Sequence, residues 1–353
     1  MAALTPVLLF LLFLSANSDE SSKLDSSCFS AIPISNSVAA LYVFGDSTVD
    51  AGNNNFIDNA VRVNFLPYGI DFSNTPTGRF TNGKTIADFI AVLYNLSLPP
   101  PYLSLSEAQR KTAMDGINYA SAGCGIFPNT KPPGLDCWSL QTQIEVFNRT
   151  VQEDLPCMIE DPQELAEYLA NSIFFISMGT NDYTLNFNNH HDPEYFANSL
   201  LIQFRWYLQT LYNIGARNLV VNNIGPLGCL PSMINKTGNG QCDEQMNQNI
   251  MPYNSQLPQI LKNIQDEYPN ATLTLANSYD FLQDILADTE KYGNWFTDVK
   301  DPCCGAYVQG ELACIPHYST PCDNRCHSLF FDASHTSEFA NCIFVRDMLI
   351  IKD

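Results

Sequence analysis

LYVFGDSTVDAGNNN, residues 41–55, changes character halfway along. Its first four residues are apolar, which is how a strand buried on both faces of a sheet reads. Gly45-Asp46-Ser47 stops that run, and the small polar residues that follow have the composition of a turn. A serine at the carboxyl end of a buried strand is either a nucleophile or a hydroxyl in a turn, and this stretch alone fits both.

The same punctuation recurs along the chain. GINYASAG (116–123) reads as a short strand and turn, and IFFISMGTND (173–182), NLVVNNIGPLG (218–228) and ATLTLANSY (271–279) read as strands. Between them lie helical patterns at 84–96, 140–151, 162–172, 193–215 and 243–268, then one from residue 280 and a last one over 337–349. Apolar strands separated by helices predict an α/β fold, a three-layer α/β/α sandwich with a central parallel sheet. Ligands of such sheets bind beyond the carboxyl ends of the strands. GDS, SAG and GTND each sit where an apolar run stops, so this fold brings three separate loops to one cleft.

Residues 7–14 form an unbroken apolar run with small residues at Ala16 and Ser18 behind it. Eight residues are too few to span a bilayer, which takes roughly 20, but they suit a secretory leader. The expectation is a signal peptide over 1–18 and a single domain over 19–353. No second run is long enough for a membrane span. The net charge of −20, from 37 acidic and 17 basic residues, repels phosphate backbones and anionic membranes, so nucleic acid is not an expected partner. All twelve cysteines follow the leader, and an even number in a secreted chain predicts disulfides. Cys229 and Cys242 flank one polar loop and suit each other as partners, as do cysteines within 303–326, including an extra bridge through Cys326. Cys124 reads as half of a disulfide. The Cys303–His327 cluster lacks the paired Cys-x2-Cys knuckles of a zinc site. Sequons at Asn95, Asn148, Asn235 and Asn270 agree with a secretory route.

A serine hydroxyl becomes nucleophilic only when a base within hydrogen-bond reach takes its proton. Among the five histidines, His335 in FFDASHTSEF has a carboxylate three residues earlier, Asp332, at the end of an apolar run. That carboxylate can fix the imidazole tautomer while the other ring nitrogen faces Ser47. An aspartate at a helix start with a surface histidine nearby has the same local sequence. Acyl transfer also needs donors aimed at the developing oxyanion, and the backbone N–H groups of Ser47 and Gly123 and the side-chain amide of Asn181 are candidates. Read locally, Asn181 is equally a turn former after a strand. Asp50 and Asn53 to Asn55 are expected to build the turn and its side-chain network.

Taken together, FGDSTVDAGNNN, NYASAGCGI, GTND and DASHTSE resemble, in order and spacing, the motif blocks of the GDSL (SGNH) hydrolases, in the form of the plant secreted esterase/lipase branch. The likeness runs on through RFTNGKTIADFIA, NIGPLGCLP and the CCG loop. It implies the flavodoxin-like SGNH fold and an ester hydrolase that needs no cofactor or metal. It further implies Ser47 as nucleophile, His335 as base oriented by Asp332, and Ser47, Gly123 and Asn181 as oxyanion donors. The substrate would be a lipid or an acylated carbohydrate or phenolic ester, and the location extracellular or vacuolar. An acyltransferase using the same acyl-enzyme, or a secreted binding protein with little turnover, would share these motifs. The chain departs from the family pattern at Thr336, where Pro often follows the histidine, and at Phe331, where Trp is common. Thr336 or Ser337 can cap the last helix through its hydroxyl instead.

Overall fold

The computed structural model describes residues 38–187, 192–308 and 311–350. The expected leader, Cys28, His190 and His191 lie outside the described residues. Among these residues four strands form one parallel sheet: β1 (Leu41–Gly45), β2 (Ile173–Ser177), β3 (Asn218–Asn222) and β4 (Thr272–Ala276), side by side in that order. The register is unbroken, from Leu41 against Ile173 to Gly45 against Ser177 and onward across the sheet. Residues 116–121, expected as a strand, run beside the other edge of β1 without becoming a regular one. The Val43 N–H donates to the Ile117 carbonyl at 3.1 Å, and the N–H groups of Tyr119 and Ser121 donate to the carbonyls of Val43 and Gly45 at 2.8 and 3.0 Å. The approach is close at its start: a Cβ on Gly116, whose φ is +112°, would lie 1.9 Å from the Leu41 carbonyl oxygen.

The chain therefore leaves β1 to one side for 116–121 and crosses to the other side for β2. The carboxyl end of β1, where Ser47 follows, is the topological switch point of the sheet, and a crevice opens there.

Alternation along the strands fills both faces of the sheet. Tyr42, Phe44, Phe174 and Ile176 are buried in one core with helices α2 (Leu140–Arg149), α4 (Pro193–Ile214) and α5 (Glu244–Glu267). Leu41, Val43, Ile173 and Phe175 are buried in the other with α1 (Ile86–Leu93), α6 (Ser278–Ala287) and α7 (Glu338–Ile350). Helix α3 (Pro162–Ala170) precedes β2. Each such side chain contributes about 1.5–3 kcal/mol on burial. The result is the α/β/α sandwich.

Side chains set the helix starts. Thr85 and Asp88 form a capping box at α1, and Asp192, followed by Pro193, caps α4, which ends at Gly215. Helix α6 starts two residues before the expected Asp280, because Asn277 accepts the Asp280 N–H. Helix α5 continues through Pro252 and Pro258.

Four disulfides are formed among the described residues: Cys124–Cys137, Cys229–Cys242, Cys303–Cys322 and Cys304–Cys314. Cys342 is disulfide-bonded as well. The extra bridge expected at Cys326 is not made. Its neighbours in the loop are already paired, and Cys326, like Cys157, is an exposed free thiol. Among the sequon asparagines, Asn95 and Asn270 are exposed, whereas Asn148 and Asn235 are half-buried within helices.

A buried ion pair ties the segment before α1 to that helix. Arg79 reaches Asp88 through two bonds of 2.7 and 2.8 Å, and both side chains are almost wholly enclosed. Removing one partner leaves the other charge uncompensated in the interior. Arg79→Ala is expected to lower the unfolding free energy by about 3–5 kcal/mol, read from the midpoint of a urea titration.

Candidate active site

Ser47 lies in the turn that follows β1. Asp46 builds that turn: its carboxylate accepts from the Thr48 N–H at 3.0 Å and the Thr48 hydroxyl at 2.8 Å, and its carbonyl accepts from the Asp50 N–H at 3.0 Å. The Thr48 hydroxyl also meets Ser177 Oγ at 3.0 Å, at the end of β2, and the Asn222 amide donates to that Ser177 oxygen at 3.1 Å from the end of β3. Polar side chains thus link the strand ends across the sheet edge.

His335 comes to this edge from a sequence position 288 residues away, and its Nε2 is 2.8 Å from Ser47 Oγ. Its Nδ1 is 2.9 Å from each oxygen of Asp332. The N–H groups of Ser334 and His335 donate to Asp332 Oδ1 at 2.8 Å, and the Tyr68 hydroxyl donates to Oδ2 at 2.6 Å. Burial alone pushes a carboxylate pKa up. The adjacent imidazole and these donors outweigh it, and Asp332 is held below its ordinary value. Burial pushes the imidazole the other way, downward, but the charge and hydrogen bond of Asp332 exceed that effect and His335 lies above its ordinary value. A neutral His335 is thus an acceptor aimed at a serine proton, with a carboxylate placed to stabilise the imidazolium that would form.

Gly123 follows the segment paired with one edge of β1, and Asn181 follows β2 on the other edge. Gly123 has φ +88°, a conformation that side-chain-bearing residues rarely adopt. Neither its N–H nor that of Ser47 is bonded to another described residue. The Asn181 amide spends one of its two protons on the Cys124 carbonyl at 2.9 Å, which leaves the second.

Two buried carboxylates hold the Gly123 loop. Asp50 accepts from the N–H groups of Gly52, Asn53 and Ala122, while the Asn53 and Asn54 amides donate to carbonyls of 118, 120 and 122. Asp182 accepts from the N–H groups of Ile126 and Phe127 and from the Thr130 hydroxyl. Burial, only partly offset by these donors, pushes both Asp50 and Asp182 up to about 6. The Cys124–Cys137 disulfide closes the same loop.

Residues 65–84 cross over the His335 loop. The Thr81 hydroxyl donates to the Thr336 carbonyl, Asn82 accepts the Glu338 N–H, Arg325 forks onto Asp71, and the Phe80 ring lies 5.1 Å from the imidazole. Thr336 is anchored at its carbonyl and donates its hydroxyl to Asn341. Ser337 caps α7 by accepting the Ala340 N–H. Phe331 packs edge-on against Tyr68. Tyr68, Phe80 and Asp182 escaped the sequence reading, since their partners lie between 52 and 264 positions away and no local pattern marks them.

Beside His335 opens a pocket with a cavity volume of about 90 Å³. Ile86, Leu230, Phe281, Leu282 and Phe344 make its walls apolar, and Thr48, Ser177 and Asn222 line its polar end. Among the described residues no group of His, Cys, Asp or Glu side chains is placed to hold a metal ion, and no helix is long and apolar enough to cross a membrane.

Asp182 offers a test that needs no substrate. Asp182→Ala strands two N–H groups and a hydroxyl, at about 1–3 kcal/mol each. Hydrogen exchange at Ile126 and Phe127 should then speed up by at least about tenfold, and unchanged protection would show that another group holds the loop.

The chain is similar to known proteins over most of its length. The family model described as GDSL-like lipase/acylhydrolase matches residues 41–347. Three relatives from Arabidopsis thaliana align over most of the chain. GDSL esterase/lipase At1g71691 is 36% identical over 317 residues, covering 88% of this chain and 81% of the relative. GDSL esterase/lipase At1g71250 is 37% identical, covering 88% and 84%, and GDSL esterase/lipase 7 is 37% identical, covering 87% and 86%. With a parallel sheet whose switch point carries the GDS serine, and a family match over nearly all of the described residues, the chain belongs to the GDSL-like lipase/acylhydrolases, a family of ester hydrolases.

Proposed function

We propose that this carboxylic ester hydrolase works through an acyl-enzyme on Ser47. The observation that carries the reading is the 2.8 Å contact between Ser47 Oγ and His335 Nε2, with Asp332 bonded behind the imidazole. Ser47 Oγ attacks the ester carbonyl carbon as His335 takes its proton. The oxyanion is held by the N–H groups of Ser47 and Gly123 and by the second amide proton of Asn181. His335 then passes the proton to the departing alcohol. In the second half the imidazole deprotonates a water, which attacks the acyl carbon; the imidazolium then returns that proton to Ser47 Oγ as the acyl–oxygen bond breaks and the acid leaves. Asp332 keeps the tautomer and offsets the charge on the imidazolium.

The apolar pocket beside His335 supports an ester with an aliphatic acyl group, whether the alcohol belongs to a lipid, a sugar or a phenol. We infer a secreted protein with a leader over 1–18: the disulfides suit an oxidising compartment, and Asn95 and Asn270 stand exposed for glycosylation. Asn148 and Asn235, half-buried, are poorer acceptors than those two.

A serine-reactive fluorophosphonate is expected to label the wild type and not Ser47→Ala; equal labelling would overturn the assignment. Because the base must be neutral and its pKa is raised, kcat/KM should climb with pH through a midpoint above the ordinary imidazole value of about 6.5, then level off. A midpoint below that value would mean that another group takes the proton. Across a series of acyl esters, kcat/KM should rise about fourfold for each methylene the pocket buries, at about 0.8 kcal/mol apiece. A flat series would place the acyl group elsewhere.

A further inference from the structure

We propose that Tyr68 is a positioning residue for this reaction, acting through Asp332 on the basicity and orientation of His335. The proposal rests on the reading of Ser47, His335 and Asp332 given above. Asp332 receives its other hydrogen bonds from within three residues of itself: the N–H groups of Ser334 and His335 and the imidazole Nδ1. Both backbone donors serve Oδ1. On Oδ2 the imidazole is 2.9 Å away and the Tyr68 hydroxyl 2.6 Å away, so Tyr68 alone among the described residues holds that oxygen from outside the loop. Nδ1 is equidistant from the two oxygens, and without Tyr68 no donor from outside the loop would check rotation of the carboxylate, which would carry the imidazole with it.

The site around the hydroxyl is built for this. Tyr68 is buried, and its ring packs edge-on against Phe65, Phe80 and Phe331, with Phe80 in turn against His335. Those contacts fix the direction of the O–H. Burial, with the Asp332 charge added, drives the Tyr68 pKa well above its ordinary value, so the hydroxyl stays a donor wherever the enzyme is folded. The titratable groups facing the imidazole and carboxylate are Tyr68, Asp46 and each other. A short bond to the carboxylate draws charge away from a group that faces His335 through both of its oxygens. Without it the imidazolium feels more of that charge and its pKa rises.

Tyr68→Phe removes the hydroxyl and keeps the ring. The expected result is a fall in kcat of about ten- to a hundredfold, the range of one hydrogen bond to a charged group, with KM within about twofold. The acid limb of kcat/KM should also move to higher pH by about half a unit to one unit. Tyr253→Phe is the control, since it deletes a buried hydroxyl that bonds no described residue and makes no contact with Asp332 or His335; it should leave both quantities unchanged. An acid limb that stays in place in Tyr68→Phe would overturn the proposal and make the residue a packing element. A second measurement stands if Tyr68→Phe folds poorly. In the Asp332→Asn background Tyr68→Phe should cost little further kcat, whereas a full additive loss would overturn the proposal. Ser47→Ala separates the two readings. Wild-type turnover in that variant would sink the acyl-enzyme and this inference together, while a dead Ser47→Ala with an unmoved acid limb in Tyr68→Phe would sink this inference alone.

Discussion

Strand β1 has different neighbours on its two edges, and the site depends on that asymmetry. The hydrogen bonds to 116–121 on one side and to β2 on the other force the loops at their carboxyl ends to leave in opposite directions. A crevice must open between them. The GDS turn follows β1 there, Gly123 follows the segment on one edge of β1, Asn181 follows the strand on the other, and His335 reaches Ser47 from the far end of the chain. Displacing 116–121 would carry Gly123 away from Ser47 without changing either residue.

Burying carboxylates is costly unless donors meet them, and this fold uses several of them to fix loops, four beyond the Asp46 that builds the Ser47 turn. Asp88 anchors the segment before α1 through Arg79, Asp50 and Asp182 grip the Gly123 loop by its N–H groups, and Asp332 carries the imidazole. Their environments set them apart. An ion pair or an imidazole neighbour holds Asp88 and Asp332 low, whereas Asp50 and Asp182 meet only neutral donors and are pushed up to about 6. The same residue type thus serves as a permanent charge in one place and as a group near its titration point in another.

The segment 65–84 explains how the His335 loop is held with Thr336, not a proline, after the histidine. Pro would stiffen the backbone locally. Here the Thr336 carbonyl is tied to Thr81, the Glu338 N–H to Asn82 and the Thr336 hydroxyl to Asn341, so the loop is held by bonds from distant segments rather than by a ring. Phe331 packs against the tyrosine that bonds Asp332.

The order of apolar runs and helices was legible in the sequence because burial imposes a period on each element, and so were the blocks around Ser47, Gly123, Asn181 and His335, because each sits where such a run stops. The helix from 193 could be placed almost to the residue by Asp192, Pro193 and Gly215. Less legible were 116–121, which pairs as a strand without regular geometry, and Cys326, whose unpaired state depends on which cysteines its neighbours take. The sequence by itself determined the sheet, its two cores and the residue types offered at its edge, since these follow from local periodicity and turn chemistry. Only the tertiary structure decided that Tyr68 bonds Asp332 and that Asp182 grips the Gly123 loop. Those contacts join positions 264 and more than 50 residues apart, and a hydrogen bond between two ordinary side chains leaves no periodic trace in either segment.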